Sequence, residues 1–185
     1  SVSELDHGHD FYAPQSLLDD KGQRIVIAWM HNWGRTVVPH EIGHDWACNM
    51  TLPRILHSVS NQLRQEVPEE VLASLPRIQL GDDVASTGYL ELEVKDNLVL
   101  RLGEEDDYVD FGYQDGLVFI DRSHQKMDIS GEEAWPISRR SVEIEAQQLQ
   151  VIFDKNSLEI FVNKGQESLT SAIYLQGKKT LQQVK

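Results

Sequence analysis

The chain has 185 residues, 40% hydrophobic and 25% charged, enough for one ordinary soluble domain or one and a fraction. Its net charge of −13 argues against nucleic acid or an anionic membrane as partner, because both carry the same sign. Cys48 is the only cysteine, so no internal disulfide is possible and a reducing, cytoplasmic compartment is the easier fit; no apolar run approaches the ~20 residues of a membrane helix.

The chain starts at Ser1 rather than Met, with the polar run SVSELDHGHD, which is no signal peptide and reads as a cut through a longer protein. In DHGHDFYAPQS, residues 6–16, Asp6, His7, His9 and Asp10 offer donors that suit a metal. The same residues suit a polar loop bonded to its own backbone. They also suit a sugar subsite, where carboxylates accept hydroxyl hydrogen bonds while Phe11, Tyr12 and nearby tryptophans present flat apolar faces. Composition leaves these three open. The one clear strand before residue 62 is RIVIAWM, Arg24 to Met30, after the turn signal Asp19-Asp20-Lys21-Gly22. Irregular segments surround it, and residues 1–62 hold three of the four tryptophans and six of the seven histidines.

His40-Glu41-Ile42-Gly43-His44 fits H-E-x-x-H, the zinc-peptidase pattern, which needs both imidazoles on one helical face. The context opposes it. Pro39 and two valines precede, Gly43 falls in the middle, and the extended pattern would want Gly where Ala47 stands. Chance is the better explanation. Then VPEEVLASL reads as a short connecting helix, with Pro68 in its first turn and Val71, Leu72 and Leu75 on one face.

From residue 77 the sequence is β throughout. YLELEV and SVEIEA alternate cleanly, VDFGYQ meets LVFIDR across the hairpin signal Asp115-Gly116, and LQVIFD and LEIFVN flank Lys155-Asn156-Ser157. About eight short strands at regular spacing predict an antiparallel sandwich, with Phe119, Phe153 and Phe161 in the core. Glu104 to Asp107 reads as a solvated turn and Arg139-Arg140 as a surface pair.

Taken together, DHGHDFYAPQSLLDDKGQRIVIAWM, then Trp33, then MTLPRIL, and later VIFDKNSLEIFVNKGQESLTSAIYL, the chain resembles the later half of glycoside hydrolase family 32, the invertases, levanases and sucrose-6-phosphate hydrolases. Family members read Asp-aromatic-Gly-x-Asp-Phe-Tyr-Ala, a Gly-Arg-Arg-Ile strand ending in Trp-Met, and Thr-Leu-Pro-Arg-Glu-Leu. Here His7 takes the aromatic position and Ile55 the place of that Glu.

The resemblance implies an all-β fold: a C-terminal antiparallel β-sandwich preceded by the last part of a five-bladed β-propeller. The expected division is a propeller remnant at residues 1–62, a short helical linker at 63–76 and the sandwich at 77–185. It implies retaining cleavage of a β-fructofuranosyl bond by two carboxylates. The family carries its nucleophile in an Asn-Asp-Pro-Asn segment, its acid/base in a Glu-Cys motif and a further Asp in Arg-Asp-Pro. None occurs in this chain, so no catalytic residue is expected in it, and the chain alone is expected to be inactive. The resemblance places Asp6, His7 and Trp33 as substrate contacts near the rim of the sugar pocket, with no metal and no cofactor. It leaves a fructoside as the ligand of the intact enzyme, and self-association through residues 1–62 as the outlet for an incomplete propeller. A rival expectation is a non-catalytic carbohydrate-binding or docking sandwich.

Overall fold

A computed structural model describes residues 3–84, 86–127, 129 and 138–185. Strands β1 (Tyr12–Leu18), β2 (Arg24–Trp29), β3 (Arg54–Val59) and β4 (Gln62–Glu66) form one antiparallel sheet in chain order, the up-and-down pattern of a propeller blade. Sequence reading found only β2. The hairpin between β3 and β4 turns on Ser60 and Asn61, both at positive φ, a two-residue connection that matches strand twist. β4 starts at Gln62 and runs to Glu66, into the first residues of the stretch 63–76 read as linker.

Among the described residues two short helices interrupt the strands, α1 (Val38–Glu41) and α2 (Glu69–Ser74). Pro68 caps α2 in extended geometry, and Val71, Leu72 and Leu75 turn towards Val67, Ile152 and Phe161. The helix is thus a wedge between blade and sandwich. Among the described residues no helix is long and apolar enough to cross a membrane.

The sandwich has one sheet ordered β12 (Glu167–Ala172), β11 (Ser157–Val162), β10 (Gln148–Asp154), β5 (Thr87–Glu93). The other is β13 (Leu181–Gln183), β6 (Leu98–Glu104), β7 (Asp107–Gln114), β8 (Leu117–His124), β9 (Arg139–Glu143). Inward side chains of both, among them Leu100, Phe111, Val118, Leu149, Phe153, Leu158 and Ile160, make one continuous apolar core. Asp115 and Gly116, at φ 53° and 84°, close the β7–β8 hairpin as their residue types predict. Phe119, Phe153 and Phe161 are all buried, but only Phe153 joins the core between the sheets: Phe119 lies outside it under the Arg139 guanidinium, and Phe161 points towards the blade.

β11 is buried at all six positions, which alternation alone does not explain. Leu158, Ile160 and Val162 face the other sheet, while Glu159 and Phe161 lie on the opposite face, beneath the blade. β11 and β12 are therefore covered on both faces.

Candidate functional site

The segment Asp6 to Asp10 runs along β12 as though it were an extra strand. The His7 N–H donates to Ser168 O at 2.8 Å, and those of His9 and Asp10 donate to Thr170 O at 2.8 and 3.0 Å. Gly8 allows this approach: a Cβ on it would lie 2.0 Å from Thr170 O.

Asp6 is buried and uses both oxygens. Oδ1 accepts the N–H groups of Gly8 and Thr170 at 2.9 Å each. Oδ2 accepts Arg54 Nη1 at 3.0 Å, the Ser168 hydroxyl at 3.0 Å and the Thr170 hydroxyl at 2.7 Å. A sugar hydroxyl would have to displace one of these donors.

Arg54 is the hub. It is wholly buried, between the rings of Phe11 and Phe161 at 4.8 and 5.0 Å from their centroids. Nη1 also donates to Gln65 Oε1 at 3.0 Å and Ser168 Oγ at 3.1 Å. Nη2 donates to Glu159 Oε2 at 2.7 Å and to the Thr170 hydroxyl. Burial opposes the guanidinium charge, but Glu159 and Asp6 outweigh it and hold the Arg54 pKa above its ordinary value. Burial pushes the Glu159 carboxyl up, against Arg54 and the Leu52 N–H, which hold it down.

His7 is half-buried, with Nε2 2.9 Å from Glu167 and Nδ1 3.4 Å from Glu4. His9 lies deeper, its ring bonded to Ser171 Oγ at 2.7 Å and Ser138 O at 3.0 Å. Burial first, then the guanidiniums of Arg122, Arg35 and Arg140, push its pKa well below 6.5, against the Ser138 carbonyl. Arg140 donates to His7 O and Gly8 O at 3.1 and 3.0 Å, so it ties this segment to β9, where a bland surface pair was expected. Asp107, expected in a solvated turn, is buried and accepts the N–H groups of Lys126 and Gln176.

At the end of β2 the aromatic side chains gather. Trp29 stacks on His31 at 5.3 Å and meets Trp33 edge-on at 5.1 Å, with Tyr12 at 6.1 Å. Trp33 is 70% exposed and Tyr12 42%. Between this group and the clamped segment opens a cleft of about 620 Å³, with Asp6, His9, Tyr12, Asn32, Arg35 and Arg140 among its walls. Of the three residues assigned to the sugar, Asp6 and His7 lie in the clamp and Trp33 stands on the open platform.

The H-E-x-x-H segment is no zinc helix. α1 ends at Glu41, Gly43 takes φ 77°, and the His44 N–H closes back on Pro39 O at 2.9 Å, so His44 falls beyond the helical turn that carries His40. Among the described residues no three His, Cys, Asp or Glu side chains gather to hold a metal.

The family model described as the glycosyl hydrolases family 32 N-terminal domain matches residues 1–67, and that described as glycosyl hydrolases family 32 C terminal matches 60–184. A raffinose invertase of Escherichia coli is 34% identical over 194 residues, covering 94% of this chain and 38% of that protein. A sucrose-6-phosphate hydrolase of Escherichia coli is 29% identical, covering 94% and 39%. Among solved structures, a family 32 β-fructofuranosidase of Bombyx mori superposes with TM-score 0.79 at 24% identity, over 98% of this chain and 39% of that one. A substituted form of that enzyme was solved with sucrose bound. The chain spans about two fifths of the length of the curated relatives it matches. Blade, sandwich and both family models thus agree, and the chain belongs to glycosyl hydrolase family 32.

Proposed function

We propose that this chain is the C-terminal portion of a β-fructofuranosidase that hydrolyses sucrose or sucrose 6-phosphate, with the catalytic carboxylates on upstream polypeptide. The observation that carries this is the match of both family models, in order, on a chain of about two fifths of its relatives' length. The chain also lacks the Asn-Asp-Pro-Asn, Glu-Cys and Arg-Asp-Pro segments that carry the family's acids. Alone it is inactive, because removing a nucleophile costs many orders of magnitude in rate.

Within that enzyme Trp33 touches the fructoside, offering an exposed indole face as a sugar platform does. Asp6 and His7 shape the pocket rim through the backbone they hold, since their polar atoms already have protein partners. The protein works in the cytoplasm, without cofactor, nucleic acid or membrane; its lone Cys48 suits a reducing compartment.

On its own the chain pairs with a second copy through β1. That strand is exposed at all seven positions, including Leu17 and Leu18 at 55% and 58%, and leaves a sheet edge open.

Incubation with sucrose, sucrose 6-phosphate and levan tests the first claim: no turnover is expected, and turnover by the 185-residue chain overturns it. Joining the missing upstream sequence restores hydrolysis, and Trp33→Ala in that full-length enzyme raises KM. Sedimentation of the short chain as a clean monomer sinks the pairing of β1.

A further inference from the structure

We propose that Arg122, on the sandwich strand β8, is a positioning residue for Trp33 across the seam between sandwich and blade. The inference rests on the reading of Trp33 as a sugar contact and assigns the sandwich a part in presenting it.

Trp33 has little to hold it. It is 70% exposed, touches Trp29 edge-on, and precedes Gly34 at φ 82°. Its orientation therefore comes from the backbone of residues 31–36. Inside that loop, the Trp33 N–H donates to Asn32 Oδ1 at 2.9 Å, and His31 Nε2 lies 3.3 Å from Thr36 O. Arg35 carries the loop outward, donating to His9 O at 3.2 Å and to Asp10 Oδ1.

Asp10 is 2% exposed, and the sandwich fixes it from the other side. Its Oδ2 accepts Arg122 Nη1 at 2.8 Å and the Ala172 N–H at 2.8 Å, while Arg122 also donates to Ala172 O at 2.9 Å. The carboxylate cannot turn without breaking a bond to β12. One oxygen is anchored on the sandwich, which aims the other at Arg35 and the Trp33 loop.

Charge does not account for Arg122. Asp10 and Arg35 already balance, and a second guanidinium on one carboxylate adds repulsion between the two cations. What Arg122 adds is direction. A side chain must be held by packed or bonded neighbours for its geometry to be reproducible, and here those neighbours belong to the sandwich. Removing Arg122 should loosen the Trp33 loop more than it lowers stability.

The 185-residue chain, labelled with ¹⁵N, tests this without sugar or turnover, with Trp33→Phe assigning the indole signal. In Arg122→Gln the Trp33 indole resonance moves and its backbone order parameter drops from about 0.85 to below about 0.6. Arg122→Lys, which keeps a cation within reach of Asp10, recovers most of the loss. Arg101→Gln removes a guanidinium from the sandwich pair with Asp110 and leaves Trp33 unchanged. If Arg122→Gln does not fold, Arg35→Gln cuts the same tether at the loop end and is read in the same way. Wild-type Trp33 signals in a folded Arg122→Gln or Arg35→Gln chain overturn the proposal, as does an equal response to Arg101→Gln. Loss of the sugar reading shows separately, as a full-length Trp33→Ala enzyme with unaltered KM.

Discussion

The blade and the sandwich are held by different physics. The sandwich encloses a continuous apolar core between two sheets, with residues such as Leu100, Phe111 and Ile160 fully buried. The blade buries Val26, Ala28 and Met30 but builds no core of comparable extent among the described residues. It is attached instead by the backbone pairing of residues 6–10 to β12, by the Arg54 hub, and by a small apolar contact around α2. Apolar layers tolerate change as long as volume is kept, whereas a buried ionic hub depends on every partner being present. The sandwich should therefore stand by itself, and the blade should depend on it.

Arg54→Leu should break that comparison most severely. It leaves Asp6 and Glu159 buried without their cation, a loss of about 3–5 kcal/mol. In a denaturant titration the blade signals should melt early while the sandwich keeps its transition; one unchanged cooperative transition would contradict the division. Gly8→Ala comes next. The added methyl meets the Thr170 backbone, and a clash in a packed interface costs about 1–3 kcal/mol. Amide exchange should rise along residues 6–10 and β12 but not in β6 or β7, and uniform exchange would refute the local effect.

The smallest effect is that of pH. The folded His9 pKa lies below its unfolded value of 6.5, so the unfolded chain binds the proton more readily. The contribution of neutral His9 is complete above 6.5 and is lost as the pH falls from there towards the folded pKa. His9→Gln should flatten the stability profile in that window. An unaltered slope would show that another group causes the acid loss.

Much of the sandwich was legible because its strands alternate. Leu90 against Glu91, and Asp115-Gly116 between two apolar runs, state their geometry locally. The blade was not. β1 carries Pro14 and shows no alternation, β3 and β4 mix charge with apolar residues, and Ser60-Asn61 was the overlooked turn signal. The motif at 6–10 announced that polar chemistry was present but not its target. Metal, sugar and self-bonded loop were all open, and the strand that it clamps lies some 160 positions away in sequence.

Sequence by itself determined the family, the all-β architecture and the failure of H-E-x-x-H, because motif order, alternation and a misplaced glycine are local facts. Tertiary structure alone decided that Glu159, on what alternation makes a solvated face, lies buried against Arg54, and that Asp6 spends both oxygens on protein. The physical reason is coverage. A strand's period names its two faces, but only the packed chain shows that a blade lies over the second one.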